Sequence, residues 1–192
     1  MSESQVDTEK IERAIKMILE AIGENPSREE LTETPSRVAQ MYSEVFAGLH
    51  IDEKEDLSPQ FYVGNNEMVF IRDISFYSMC EHHLLPFFGV AHIAYLPMGG
   101  MVTGLSKLAR LVDIVSKRPQ VQERMTNQIA DAISSELHAA GVFVVVDAEH
   151  LCINMRGIKK PGSKVVTTAA RGCYKEDSAL REEVLNMIQF RS

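Results

Sequence analysis

The chain carries only three cysteines in 192 residues, Cys80, Cys152 and Cys173. They are too few and too scattered for a disulfide framework, which leaves them as core, metal or catalytic residues. No stretch approaches the roughly 20 consecutive apolar residues of a membrane span, so no membrane partner is expected. The N-terminus, MSESQVDTEK, is polar and acidic. It has neither the apolar core of a signal peptide nor the arginines of a transit peptide, and a cytoplasmic location is expected. Positive charge is scarce as well. Twenty Lys and Arg against 27 Asp and Glu leave a net −7, which argues against nucleic acid as a partner. Fixed-period repeats and low-complexity segments are absent. What remains is a globular composition long enough for one sizeable core.

The charge is unevenly spread. Residues 1–66 hold 6 Lys/Arg and 14 Asp/Glu, whereas residues 67–192 hold 14 and 13. The acidic excess therefore lies in the N-terminal third, and the rest of the chain is free to assemble a local basic site.

Apolar periodicity predicts the elements. Ile11, Ala14, Ile15, Ile18, Leu19 and Ile22 form one buried helical stripe, ended by GENPS. A second helix is expected from TPSR, with Thr34 as N-cap and Pro35 at the first position, running to Gly48. Residues 49–66 read as a linker, so 1–66 is expected to be a helical arm and 67–192 the main, catalytic domain. There the order is strand, strand, helix, helix, strand, strand, helix. The strands are EMVFIRDISFYS, FFGVAHIAYLP, VFVVVDAEHLCINMRG and SKVVTTAARGCY, the third broken or kinked near Asp147–His150. Leu108, Leu111, Val112 and Val115 mark the inward face of the first helix of the pair; Val121, Met125, Ile129, Ile133 and Leu137 mark that of the second. The fold class is α+β: a four-stranded antiparallel sheet with two helices on one face. Its open edges need pairing, which hints at a symmetric oligomer.

The segment SMCEHHLLPFFG places Cys80 three residues before His83, a common zinc-ligand spacing. Cys152 follows about seventy residues on, in the strand-like EHLCIN. Two thiolates and one imidazole leave the fourth position of a zinc ion open, as in a catalytic site. Spacing alone leaves Cys80 and His83 evenly divided between ligands and core residues; Cys173 is an alternative fourth ligand, though it reads better, like His92 and His138, as an ordinary structural residue. His82 and His150 each neighbour a proposed ligand and can serve as acid–base groups.

Anion-binding features lie in two places. GLSKLAR opens a helix, with Ser106 expected at the N-cap, Lys107 at the first position and Arg110 on the same face. MRGIKKPGSK supplies Arg156, Lys159, Lys160 and Lys164 just after Cys152. The two clusters converge beside the metal if the Cys152 strand runs past the helix opened by Ser106. Gln122 and Glu123 can recognise a base edge, but on spacing alone they read as a solvated first helical turn.

Together SMCEHHLLPFFG, GLSKLARLVDIVSKRPQVQERMTNQIADAI and EHLCINMRGIKKPGSKVVTTAARG resemble type I GTP cyclohydrolases, over about residues 28–190. The resemblance implies the tunnelling fold and a ring-forming homodecamer of two pentamers, with active sites at subunit interfaces. It implies conversion of GTP and water to 7,8-dihydroneopterin triphosphate and formate, the first step of folate biosynthesis. Zn2+ would be held by Cys80, His83 and Cys152. His150 would be the main acid–base histidine and His82 the second. Glu123 would bind the guanine edge with Gln122 beside it. Ser106, Lys107, Arg110, Arg156 and Lys159 would surround the triphosphate and ribose, with Arg37 in the second helix. Gln40 stands where some members are basic, and Val90 where many carry Lys. Relatives of this fold that use a catalytic cysteine without zinc, or three histidines, do not fit C-E-H-H with H-x-C. A non-catalytic zinc or nucleotide-binding protein would have no need of two unligated imidazoles.

Overall fold

The computed structural model describes residues 6–54, 57 and 60–190. Residues 55, 56, 58 and 59 of the expected linker, and the two chain ends at 1–5 and 191–192, lie outside the described residues. Two helices, α1 (Thr8–Ala21) and α2 (Thr34–Val45), come first, followed by the short strand β1 (Gln60–Tyr62). The main body runs β2 (Val69–Cys80), β3 (Pro86–Leu96), β4 (Met101–Thr103), α3 (Leu105–Ser116), β5 (Pro119–Gln120), α4 (Gln122–Glu136) and β6 (Gly141–His150). It ends with the one-turn α5 (Leu151–Asn154), β7 (Lys164–Gly172), the one-turn α6 (Cys173–Glu176) and α7 (Ser178–Gln189).

The four expected strands pair antiparallel in the order β2-β3-β6-β7, and β5 adds a fifth, parallel strand beside β2. The sheet is therefore mixed, not purely antiparallel. Between α3 and α4 the chain passes the end of β2, where Cys80 pairs with Gln120 and the Glu81 N–H donates to the Gln120 carbonyl at 3.0 Å. A separate ribbon pairs β1 with β4 and ties the expected linker back onto the body. Gln60 donates to the Glu136 carbonyl at 2.6 Å there.

Period-2 alternation sorts the sheet residues. Val142, Val144, Val146 and Ala148 of β6 pack with Leu108, Leu111, Val112 and Val115 of α3 and with Met125, Ile129 and Ile133 of α4. Phe143 and Val145 face the other way, against Tyr174 and Val184 of the C-terminal helices. A strand covered on both faces reads as the unbroken run VFVVV. Each large side chain buried here contributes about 1.5–3 kcal/mol.

Several expected boundaries shift. The α3 N-cap is Gly104 in extended conformation, so Ser106 is not the cap and Lys107 lies in the first turn, not at its first position. α4 starts at Gln122, leaving Val121 half-buried as its N-cap. Thr34 lies inside α2, whose N-cap is Glu33. The apolar stripe of α1 packs along α2 but is only partly covered, with Ile18 and Ile22 exposed. The third strand ends at His150, and Cys152 sits on α5, not in a strand.

Candidate active site

Three elements end at one place. β2 terminates at Cys80, and a tight turn leads into β3: the Leu84 N–H donates to the Cys80 carbonyl at 2.8 Å, and the Cys80 N–H to the Leu85 carbonyl at 2.9 Å. Leu84 takes a left-handed backbone, φ 49°, to close this turn. Arg124 of α4 grips the turn through both oxygens of Glu81, at 2.6 and 3.0 Å, and its guanidinium holds that carboxyl below the usual range. β6 pairs with β3 so that His150 stands opposite Phe87, one residue after the turn's Pro86. The next helical turn swings Cys152 towards Cys80.

One ligand atom each from Cys80, His83 and Cys152 lies within 4.8 Å of the others. Among the described residues no fourth His, Cys, Asp or Glu joins this group. Cys173 is excluded as a ligand, because it packs beside Gly141 at the opposite end of β6 from His150 and α5. Burial and the neighbouring Cys80 thiol push the Cys152 thiol up. The Cys152 thiol therefore resists ionisation unless a cation joins it, and two sulfurs with an imidazole suit zinc with an open position. His82 is exposed beside the group, with its Nδ1 4.0 Å from the Cys80 sulfur. Arg156 Nη1 lies 2.7 Å from His83 Nε2.

Behind the thiols lies a cleft of about 220 Å³ lined by Cys80, His82, Gln122, Glu123, His150 and Cys152. His150 stacks flat on Phe87, with ring centroids 4.6 Å apart and planes within 2°. Its Nε2 meets Gln122 Oε1 at 2.7 Å. Burial lowers the His150 pKa, with the Glu123 carboxylate pulling the other way, so the neutral imidazole is favoured.

Residues 11–189 match the model of the GTP cyclohydrolase I family. The chain belongs to the GTP cyclohydrolase I family. It is 61% identical to GTP cyclohydrolase 1 of Streptococcus pyogenes, over 95% of this chain and 94% of that one. Identity is 59% to that of Geobacillus sp. (strain WCH70), covering 96% and 98% of the two chains. It is 57% to that of Bacillus cytotoxicus, covering 97% and 98%. Among solved structures, the apo archaeosine synthase QueF-Like is similar with a TM-score of 0.47 and 17% identity, over 56% of this chain and 96% of that one.

The residues that the cyclohydrolase resemblance assigns to the triphosphate are divided in space. Arg156 is at the thiol–imidazole group, and Lys159 follows in the exposed loop after α5. Ser106, Lys107 and Arg110 are not there. β3 carries the chain away from Cys80, and α3 starts only beyond its far end. α3 then returns, and the Ser78 hydroxyl donates to its last carbonyl, Ser116, at 2.7 Å. At 1.5 Å per residue, the start of α3 is about 17 Å from that end. Within one chain the two basic clusters therefore do not converge. Arg110 instead lines a separate cavity of about 500 Å³ with Gly48, Asp52, Asp113 and Lys117. Arg37, on α2, pairs with Glu33. No local sequence pattern singles out Phe87, Arg124, Thr126 or Thr167. Only the β3–β6 register identifies Phe87; the others look like ordinary helix and strand residues until the site is assembled.

Proposed function

We propose that this chain performs its family's reaction, the hydrolysis of GTP to 7,8-dihydroneopterin triphosphate and formate, the first step of folate biosynthesis. The observation that carries the proposal is the meeting of Cys80, His83 and Cys152, from distant parts of the chain, beside a stacked, half-buried His150. Those three residues would hold Zn2+, which supplies Lewis acidity and activates water at neutral pH. His150, largely neutral and held flat by Phe87, takes and returns a proton at the purine. His82, exposed at the mouth, is the second acid–base group. Glu123 accepts from the N–H donors on the guanine edge, since an ionised carboxylate is acceptor-only and its two oxygens can take two such bonds side by side. Arg156 and Lys159 bind phosphate or ribose oxygens.

Two observations support a site completed by another copy. The cleft of about 220 Å³ is smaller than the roughly 300–1,000 Å³ typical of ligand sites, and Ser106 and Lys107 lie at the far end of α3, with Arg110 midway along it. In a ring of tunnelling-fold subunits, the α3 start of one copy would reach the Cys80 end of its neighbour. The half-covered stripe of α1 and the remote Arg37 fit further contacts in a homodecamer. On this reading residues 1–66 are the arm and linker, and 67–192 the catalytic domain. Among the described residues no helix is long and apolar enough to cross a membrane. A cytoplasmic location is a separate part of the proposal. The test is incubation of zinc-loaded protein with GTP, followed by pterin fluorescence after oxidation and dephosphorylation. Formate and pterin in equal amounts are expected. Nucleotide binding without turnover would support the non-catalytic alternative.

A further inference from the structure

Gln122, the first residue of α4, is 1% exposed. Its Nε2 lies 3.0 Å from the Val146 carbonyl, 2.9 Å from the Val165 carbonyl and 3.1 Å from Thr167 Oγ1. Carbonyl oxygens only accept, so the amide NH2 must face them. Reversing the amide would set Oε1 against two acceptors.

The neighbouring hydroxyls fix the same direction. Thr126 Oγ1 lies 2.7 Å from the Gln122 backbone carbonyl and donates its single proton there. The Thr126 and Thr167 hydroxyls are 2.6 Å apart. Thr167 must then donate to Thr126, so its oxygen can only accept a share of one of the two Gln122 N–H protons, which serve three acceptors. Every hydrogen bond in this group, half-buried at Thr167 and His150, thus has one permitted polarity. Gln122 Oε1 remains, facing His150 Nε2 at 2.7 Å. Oε1 has no proton to give, so the proton between them belongs to the histidine. The flat stack on Phe87 fixes the ring plane.

We infer that Gln122 is a positioning residue that locks His150 in the Nε2–H tautomer, so that Nδ1 is the ring nitrogen that exchanges a proton with the substrate. The inference rests on the acid–base role proposed for His150. It also makes Gln122 a support for that histidine in place of a substrate contact, and leaves guanine recognition to Glu123.

The test reads the tautomer directly. Zinc-loaded, full-length protein labelled with ¹⁵N-histidine is held above the imidazole titration range and examined by solid-state NMR. The His150 signals are assigned by their loss in His150→Asn. The expected wild-type spectrum has a protonated Nε2 and an unprotonated Nδ1. In Gln122→Leu both tautomers are expected, with kcat for GTP down about 100-fold and KM within about two-fold. Gln122→Glu, as the neutral acid, keeps an acceptor towards His150 and a donor towards the carbonyls, and is expected to restore the tautomer and part of kcat. An Nδ1–H tautomer in the wild type overturns the inference, whatever the variants do. So does a Gln122→Leu protein that keeps kcat and loses only KM, the signature of a direct substrate contact. Absence of GTP conversion by the wild type would instead overturn the functional reading, while the spectrum still reports the tautomer.

Discussion

Gly89 sits opposite Ala148 in the β3–β6 ladder, two positions from the Phe87–His150 pair. A methyl group added there would lie 2.0 Å from the Asp147 carbonyl oxygen and 2.7 Å from the Ala148 Cα. Both atoms are backbone, so no side chain can swing aside. Non-bonded carbon atoms pack at about 3.5–4.0 Å, so Gly89→Ala must part the two strands by about 1 Å beside the buried face that holds Phe87, Ala91 and Ala148. Overpacking of this kind costs about 3 kcal/mol, the upper end of its usual range. For a chain of this length that lowers Tm by about 6–12 °C. The same displacement draws His150 and α5 away from Phe87 and Cys80, so zinc content is expected to fall with Tm. Thermal melts and metal analysis at matched protein concentration read both. Gly104→Ala is the control: its added methyl meets nothing nearer than 3.8 Å, and Tm should stay within about 2 °C. A Gly89→Ala protein that melts like the wild type and keeps its zinc would refute the proposed packing of these strands around the site.

Cys152→Ala is expected to lose zinc, whereas His150→Ala keeps it while kcat falls by about 10²–10⁴-fold; atomic absorption and a GTP assay on the purified variants separate the two roles. Lys107→Ala and His150→Ala should each be inactive alone. After subunits are dissociated and reassembled as a mixture, part of the activity should return, since some sites then draw both intact residues from different copies; no recovery means the site is built from one chain. His92 is buried, and burial pushes its imidazole below the ordinary range, with Asp73 and Asp147 pulling the other way. The unfolded chain takes up this proton near pH 6.5 and the folded chain only at lower pH, so stability falls as pH drops below about 6.5. Urea midpoints at about pH 7.5 and about pH 5.5 should differ less in His92→Gln than in the wild type.

Much of the fold is legible because periodicity is a local property. The inward faces of α3 and α4, the four long strands and the closing helix all follow from spacing alone. Helix starts are less legible, since Gly104 caps α3 through its extended backbone and not through a side chain. β5 is two residues long and exists only because Gln120 passes Cys80, which no local pattern encodes. The thiol–imidazole group is only half legible: the spacing of Cys80 and His83 leaves them evenly divided between ligands and core residues, and it is the resemblance that joins them to Cys152. The supports of His150 are not legible: Phe87 depends on register, and Gln122 on a hydrogen-bond group drawn from α4, β6 and β7. The separation of Lys107 from Cys80 is also invisible in sequence, where the two look like parts of one site.

The central claim is that two sulfurs and one imidazole hold a zinc ion with an open position. X-ray absorption at the zinc edge of the loaded protein tests it most directly. Two sulfur neighbours at about 2.3 Å and two nitrogen or oxygen neighbours at about 2.0–2.1 Å are expected, one of which is exchanged by an added anion. A shell of nitrogen and oxygen alone, or a third sulfur, would contradict it.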